Sequence, residues 1–266
     1  MITELSFTNF KSWKHFKKTK LGNLTAFFGT NSSGKTSILD FILLLKQTLE
    51  SSDRSQVLDF GGLNSHTQLG SFIDLIFDHD KTQSLDFNIA LSFLKNIEIY
   101  DPETRKNVLF SDNKIKFSSS IKQTAKRLFV QEFDYIFANK KFKIRKKEKD
   151  RYDYGLTSES LNEDRKYEIT RTLGRVWALP EPIKFHGFPD QVRTYYQNAG
   201  FLFDLQLAIE EFFAKIYYLG PLREYPKRQY TWTGAQPNDM GKRGEKCIDA
   251  LLSSREQGIK ISRGFR

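Results

Sequence analysis

The sequence predicts an α/β fold: a mixed sheet around a phosphate loop, with a basic segment inserted in its middle. Three observations carry that expectation. Residues 29–36 read GTNSSGKT, between one apolar run of strand length and one of helix length. The opening residues alternate as a half-buried strand does, with Leu5 and Phe7 set against Ser6 and Thr8. The chain has 266 residues and 24 Phe, enough length and aromatic surface to bury a core without staples.

Taken in order, the first strand closes at Asn9, Phe10, Lys11 and Ser12. A second strand is expected over residues 24–28 (LTAFF), after the turn-prone Gly22 and Asn23. Residues 36–50 read as a helix that is apolar almost all round its first turns, hence buried on most sides. The polar, Gly-containing stretch 51–71 reads as loop with short helical pieces. One or two strands are expected over 87–99, and a helix over 201–215, where Phe201, Leu202, Leu205, Phe212 and Phe213 recur at helical spacing. Residues 216–219 read as a buried strand stopped by Gly220 and Pro221. Residues 101–200 carry the least pattern and read as an insertion. No internal repeat is present.

Composition narrows the class. Hydrophobic residues make up 39%, yet the Phe content argues against a disordered chain. A single cysteine, Cys247, excludes an internal disulfide and a Cys-built zinc site, and fits a reducing compartment. The longest apolar run, 41–45, cannot span a membrane, and the first residues read as strand instead of signal peptide. A cytoplasmic protein is expected.

The net charge is +10, and residues 113–150 hold +8 of it. Its densest piece is Lys140, Lys141, Phe142, Lys143, Ile144, Arg145, Lys146 and Lys147. That alternation places Phe142 and Ile144 on one face of a strand and cations on the other. Two readings fit. The cations Lys140, Lys141, Lys143, Arg145, Lys146 and Lys147 could contact DNA or RNA phosphates, with steep salt dependence. They could equally be a solvated edge strand whose lysines discourage edge-to-edge pairing.

The loop carries the strongest signal. Gly29, Thr30, Asn31, Ser32, Ser33, Gly34, Lys35 and Thr36 satisfy every fixed position of GxxxxGK followed by Ser or Thr. Gly29 permits a sharp exit from the strand, and Gly34 lets backbone N–H groups approach phosphate oxygens. The helix N-terminus then faces the anion. Lys35 is expected to reach the β- and γ-phosphates of ATP, and the Thr36 hydroxyl to ligate Mg²⁺. Ser37 completes the binding segment. Turnover also needs an acid on a neighbouring strand. The nearest stretches are 97–101 (IEIYD), interrupted by a charge, and 207–211 (LAIEE), inside the expected helix. The catalytic carboxylate is therefore expected from outside this chain, and no catalytic residue is assigned.

These features resemble the N-terminus of RecF/SMC/OLD-like prokaryotic ATPases of the ABC superclass. The likeness rests on Asn9 to Ser12, the run 24–28 and the loop with Asn31. Residues 69–76 (LGSFIDLI), 219–224 (LGPLRE) and 241–255 resemble a narrower AAA-labelled group that carries a C-terminal domain of unknown function. The resemblance implies an ABC/RecF-type P-loop NTPase with three parts. Residues 1–100 form the ATP-binding lobe, 101–200 the inserted basic segment, and 201–266 a return to the core that is incomplete at its C-terminus. It further implies Mg-ATP-driven association of two heads in DNA repair or phage defence, through a homodimer or a partner ATPase half, in some members beside a nuclease. The signature motif and the acidic strand of the family have no counterpart here, so ATP hydrolysis would need a completing half. Two alternatives stay open: a nucleotide-independent nucleic-acid-binding subunit using residues 113–150, and a non-functional truncated ATPase.

Smaller features are weighed beside these. Gln68 or Gln83 could sense Mg²⁺ and γ-phosphate, or be polar loop residues. Arg223 could face the nucleotide edge of the sheet, or pair with Glu224 or Asp249. Trp13, Trp177 and Trp232 read as core or interface residues, and Cys247 as a buried small residue.

Overall fold

The computed structural model describes residues 1–63, 65–101, 106–125, 127–147, 153–161, 167–174, 177–232, 234, 236–237 and 239–256. The chain forms two compact units, Met1–Ala214 and Lys215–Arg266.

The first unit is built on a seven-stranded sheet in the order β2-β1-β3-β4-β5-β6-β7. Its strands are β1 (Ile2–Phe10), β2 (Trp13–Lys20), β3 (Leu85–Tyr100), β4 (Val108–Gln123), β5 (Leu128–Phe137), β6 (Lys140–Lys146) and β7 (Tyr154–Ser160). Every ladder is antiparallel. Among the described residues the expected mixed sheet is therefore corrected to an antiparallel one. Short connections account for the pairs of consecutive strands, because hairpins join antiparallel neighbours; β1 and β3 pair antiparallel across the long segment 21–84, which carries α1. Ala138 and Asn139, at φ 47° and 60°, close a two-residue turn between β5 and β6.

Alternation gives the sheet one apolar face. Leu5 and Phe7 of β1, Phe87 and Ile89 of β3, Phe117 of β4, and Phe133 and Tyr135 of β5 are all buried. Helix α1 (Lys35–Glu50) covers the β1 and β3 end, with Phe41 packed on Phe7, Phe10 and Phe87. The loop bearing Phe185 and Phe188 fills the middle of the same face, against Phe87, Phe117, Phe133 and Tyr135. Helix α4 (Leu202–Ala214) packs beside α1, as its apolar spacing predicts. Two short helices, α2 (Phe72–Leu75) and α3 (Val192–Tyr195), complete the unit. The opposite face is polar, with Glu4, Ser6, Asn88, Lys116, Ser118 and Asp134 around a shallow cavity of about 370 Å³.

Two expected strands are not strands. Residues 24–28 enter no ladder, and Leu24 and Phe28 are 93% and 92% exposed. The strand that does pair with β1 there is β2, a Lys-rich strand whose Trp13 and Phe16 fall three apart and so mask its period of two. Residues 216–219, in the second unit, are likewise irregular, with Tyr217 and Leu219 more than half exposed. Apolar runs alone do not make strands; each needs a neighbour to take its backbone hydrogen bonds.

In the second unit the described regular element is α5 (Cys247–Glu256). Ahead of it, Gly220 N–H donates to Lys242 O and Glu224 N–H to Arg243 O. Cys247 is half-buried at the start of α5, more open than the sequence reading expected.

Candidate functional site

The phosphate loop sits between the irregular run 24–28 and the first turn of α1. Its backbone needs left-handed conformations at two places: Ser32 has φ 63° and Gly34 has φ 85°. Serine tolerates this poorly and glycine without cost, which accounts for Gly34. Gly34 is also the N-cap of α1, and no side chain caps the helix there. The first amides of the helix thus have no intrahelical acceptors. They are the donors a phosphate would meet.

Lys35 curls back over the loop. Its ammonium donates to Gly29 O at 2.9 Å and Thr30 O at 2.6 Å, with Ser33 Oγ at 3.5 Å. A Cβ on Gly29 would stand 2.9 Å from Ser33 Oγ and 4.0 Å from Lys35 Cδ, so a side chain there would fill the cradle. Asn31, Ser32, Ser33 and Thr36 are exposed, and Ser37 is buried at the root of the helix. Gly29, Asn31, Ser32, Ser33, Gly34, Lys35 and Thr36 form one solvent-facing cup with the Lys35 ammonium over it, and Ser37 lies buried beneath. The open amides of the helix start and the Lys35 ammonium are the kind of donors that suit a phosphate.

A second layer was not legible in the sequence. The tip of the β1–β2 hairpin lies against the start of α1. Trp13 Nε1–H donates to Gly34 O at 3.0 Å, and Lys11 pairs with Asp40 at 2.6 Å. Asp40 also accepts from Thr67 Oγ1, and Gln47 ties α1 to Asp59 O and the Thr67 amide. Trp13, expected as a core or interface residue, is half-buried, packs on Phe16 and touches the loop through Gly34. Trp13 and Gly34 lie 21 positions apart, and no spacing signal joins them.

The other candidates fall elsewhere. Gln68 donates to Gly62 O and Gln83 to Asp80. Arg223 donates to Gly220 O, while Glu224 sits near Lys227 and Arg243. Glu98, on β3, accepts from Tyr100 OH, and Glu210, on α4, meets buried His186 at 3.0 Å. Burial pushes the His186 pKa down, and the His186 hydrogen bond holds the Glu210 carboxyl below its usual range.

The basic run splits between two faces of β6. Phe142 and Ile144 are fully buried, as the alternation predicts. Lys141 stands 3.5 Å from Asp134, and Lys143 and Arg145 stand 2.9 and 3.3 Å from Glu132, across the β5–β6 ladder. Lys140 and Lys146 lie over the rings of Phe110 and Phe129, and Lys147 pairs with Asp153. Nor is β6 an edge, because β7 pairs along it. The edge-strand reading of this run is corrected on that ground.

A seven-stranded sheet, the helix behind the loop and the phosphate loop itself fit a P-loop NTPase. The sequence matches the family model of the AAA ATPase domain over residues 1–174, and the chain belongs to that family. Membership implies nucleotide binding, typically with Mg²⁺, and ATPase function. No curated protein matches the sequence. Among the described residues, no helix is long and apolar enough to cross a membrane.

Proposed function

We propose that this chain is the ATP-binding portion of a RecF/OLD-like ATPase, and that Mg-ATP drives its association with a second head. The observation that carries the reading is the Lys35 ammonium held over a loop whose open helix N-terminus is set by Gly34. In that reading Gly29, Asn31, Ser32, Ser33 and Gly34 wrap the phosphates by their backbone, Lys35 neutralises them, and Thr36 faces Mg²⁺. Bound ATP supplies the phosphoanhydride whose cleavage would release the second head.

A completing half supplies the catalytic acid. Two features support this. Glu210, from one of the two stretches considered for that role, is committed to buried His186, and Glu98, which interrupts the other, to Tyr100. Leu24 and Phe28, beside the loop, are exposed and ready to be covered. A homodimer or a partner ATPase half would both serve. A role in DNA repair or phage defence, beside a nuclease or on DNA through Lys140, Lys141, Lys143, Arg145, Lys146 and Lys147, extends the same reading.

Calorimetry and thermal unfolding with Mg-ATP test it. Ligand at a hundredfold its Kd should stabilise the wild type by about 2.7 kcal/mol. Lys35→Ala should remove that gain and leave the apo stability close to wild type. Absence of binding by the wild type at millimolar Mg-ATP would refute the proposal. Salt-dependent DNA binding in that protein would then favour the nucleotide-independent subunit.

A further inference from the structure

We infer that Trp13 is a positioning residue of the phosphate loop: its indole N–H holds the Gly34 carbonyl turned toward β2, and so aims the Lys35 amide into the cup. The inference rests on the ATP-binding reading and deepens it.

The geometry is a matter of one peptide plane. The unit linking Gly34 to Lys35 is planar and trans, so its C=O and N–H point in opposite directions. Trp13 Nε1 lies 3.0 Å from Gly34 O. The amide of Lys35 must therefore point away from the indole. Lys35 is the first residue of α1, and its N–H belongs to the set without intrahelical acceptors. Such N–H groups make a helix N-terminus a phosphate site.

As the N-cap carbonyl, Gly34 C=O takes the first bond of α1, and the indole N–H is a second donor that fixes its direction. Gly34, at φ 85°, has access to far more backbone conformations than any other residue, and rotation of its peptide unit would turn the Lys35 amide out of the cup. The indole opposes that rotation, because it would strand a polar N–H beside the loop.

Trp13 can do this because it is itself fixed. It forms the last rung of the β1–β2 hairpin, opposite Phe10. Its ring meets Phe16 edge-on at 5.2 Å. The hairpin tip is tied again to α1 through Lys11 and Asp40, a turn and a half beyond Gly34. Contact is close: a Cβ at Gly34 would lie 2.7 Å from Trp13 Nε1 and 2.6 Å from Ser12 Oγ. The glycine of the loop thus serves two needs, a left-handed φ and room for the indole.

The test removes the N–H and keeps the shape. Full-length protein would carry benzothienylalanine at position 13, in which sulfur replaces the indole N–H; Trp13→Phe is the genetic counterpart. Mg-ADP and inorganic pyrophosphate would be titrated by calorimetry, and the Lys35 amide followed by NMR in lysine-labelled protein. A hydrogen bond of this kind is worth about two- to tenfold in an equilibrium. Both ligands should therefore bind the benzothienyl protein about two- to tenfold more weakly, with the melting temperature of the free protein lowered by no more than about 2–4 °C. The downfield shift of the Lys35 amide on ligand addition should shrink in parallel. Wild-type affinity and a wild-type Lys35 shift in the benzothienyl protein would overturn the inference, even with Lys35→Ala inactive. Weaker binding accompanied by an equal loss of fold stability, with the Lys35 shift preserved, would also overturn it, as the mark of a structural role alone. Failure of the wild type to bind either ligand would instead refute the ATP-binding reading on which the inference rests.

Discussion

Phe41 lies stacked on Phe7, ring centroids 4.6 Å apart and planes at 23°. The pair joins the helix that carries Lys35 to the strand that opens the chain. Phe41 is fully buried and also meets Phe10 and Phe87 edge-on, each at 5.2 Å. The seat of the phosphate loop is therefore an aromatic cluster, and the loop is only as steady as that cluster.

Truncating Phe41 should unseat the helix. Phe→Ala in a filled core costs about 3–5 kcal/mol, from lost burial and the cavity left behind. Urea denaturation of Phe41→Ala should show a loss in that range, with nucleotide affinity falling as well. A loss under about 1 kcal/mol, the scale of an ordinary surface change, would mean that α1 is held by its polar ties alone.

Gly34 and Gly62 make a matched pair. A Cβ at Gly34 meets a left-handed backbone and the Trp13 indole, whereas one at Gly62 meets nothing within 4 Å. Strain of the first kind costs about 1–3 kcal/mol. Gly34→Ala should destabilise the protein by roughly that amount and abolish Mg-ATP stabilisation. Gly62→Ala should leave both within about 0.5 kcal/mol, as at an open surface site. Thermal melts with and without Mg-ATP decide the matter; equal behaviour of the two variants contradicts it.

Acid should loosen the first unit through His186. The ring is buried, its Nε2 faces Glu210 at 3.0 Å, and its Nδ1 meets no hydrogen-bond partner among the described residues. Burial lowers its pKa in the folded state, with Lys184 adding in the same direction and Glu210 opposing. Between the lowered folded value and the ordinary one of about 6.5, the unfolded chain binds more protons. Stability should therefore fall as pH drops below about 6.5. The depressed Glu210 carboxyl adds a further loss below the usual glutamate range. Urea midpoints at pH 7, 6 and 5 should decline in the wild type and decline less in His186→Gln. A wild-type midpoint that holds steady or rises toward pH 5 would contradict this assignment.

The sequence reading and the fold part company at identifiable places. Helix α4 was legible because its apolar residues recur every three to four positions over more than three turns, and helix α1 because apolar residues surround its first turns. The faces of β6 were legible from strict alternation, but not its neighbours: Glu132 and Asp134 meet its cations through the register of the β5–β6 ladder. Residues 24–28 and 216–219 have strand composition and are not strands, because pairing is a property of two segments and composition of one. β2 is the converse, a poor strand by pattern that the hairpin turn at Lys11, φ 49°, folds onto β1.

By itself the sequence determined the phosphate loop, the helix behind it, the regional charge and an aromatic core. Each of these is local, a matter of turn chemistry or periodicity within a few residues. Tertiary structure alone decided that the sheet is antiparallel among the described residues, that three cations of the basic run meet Glu132 and Asp134 across a ladder, and that Trp13 stands at Gly34. Those contacts join residues far apart in the chain. Their geometry depends on which strands pair and in what register, and no short window of sequence holds that information.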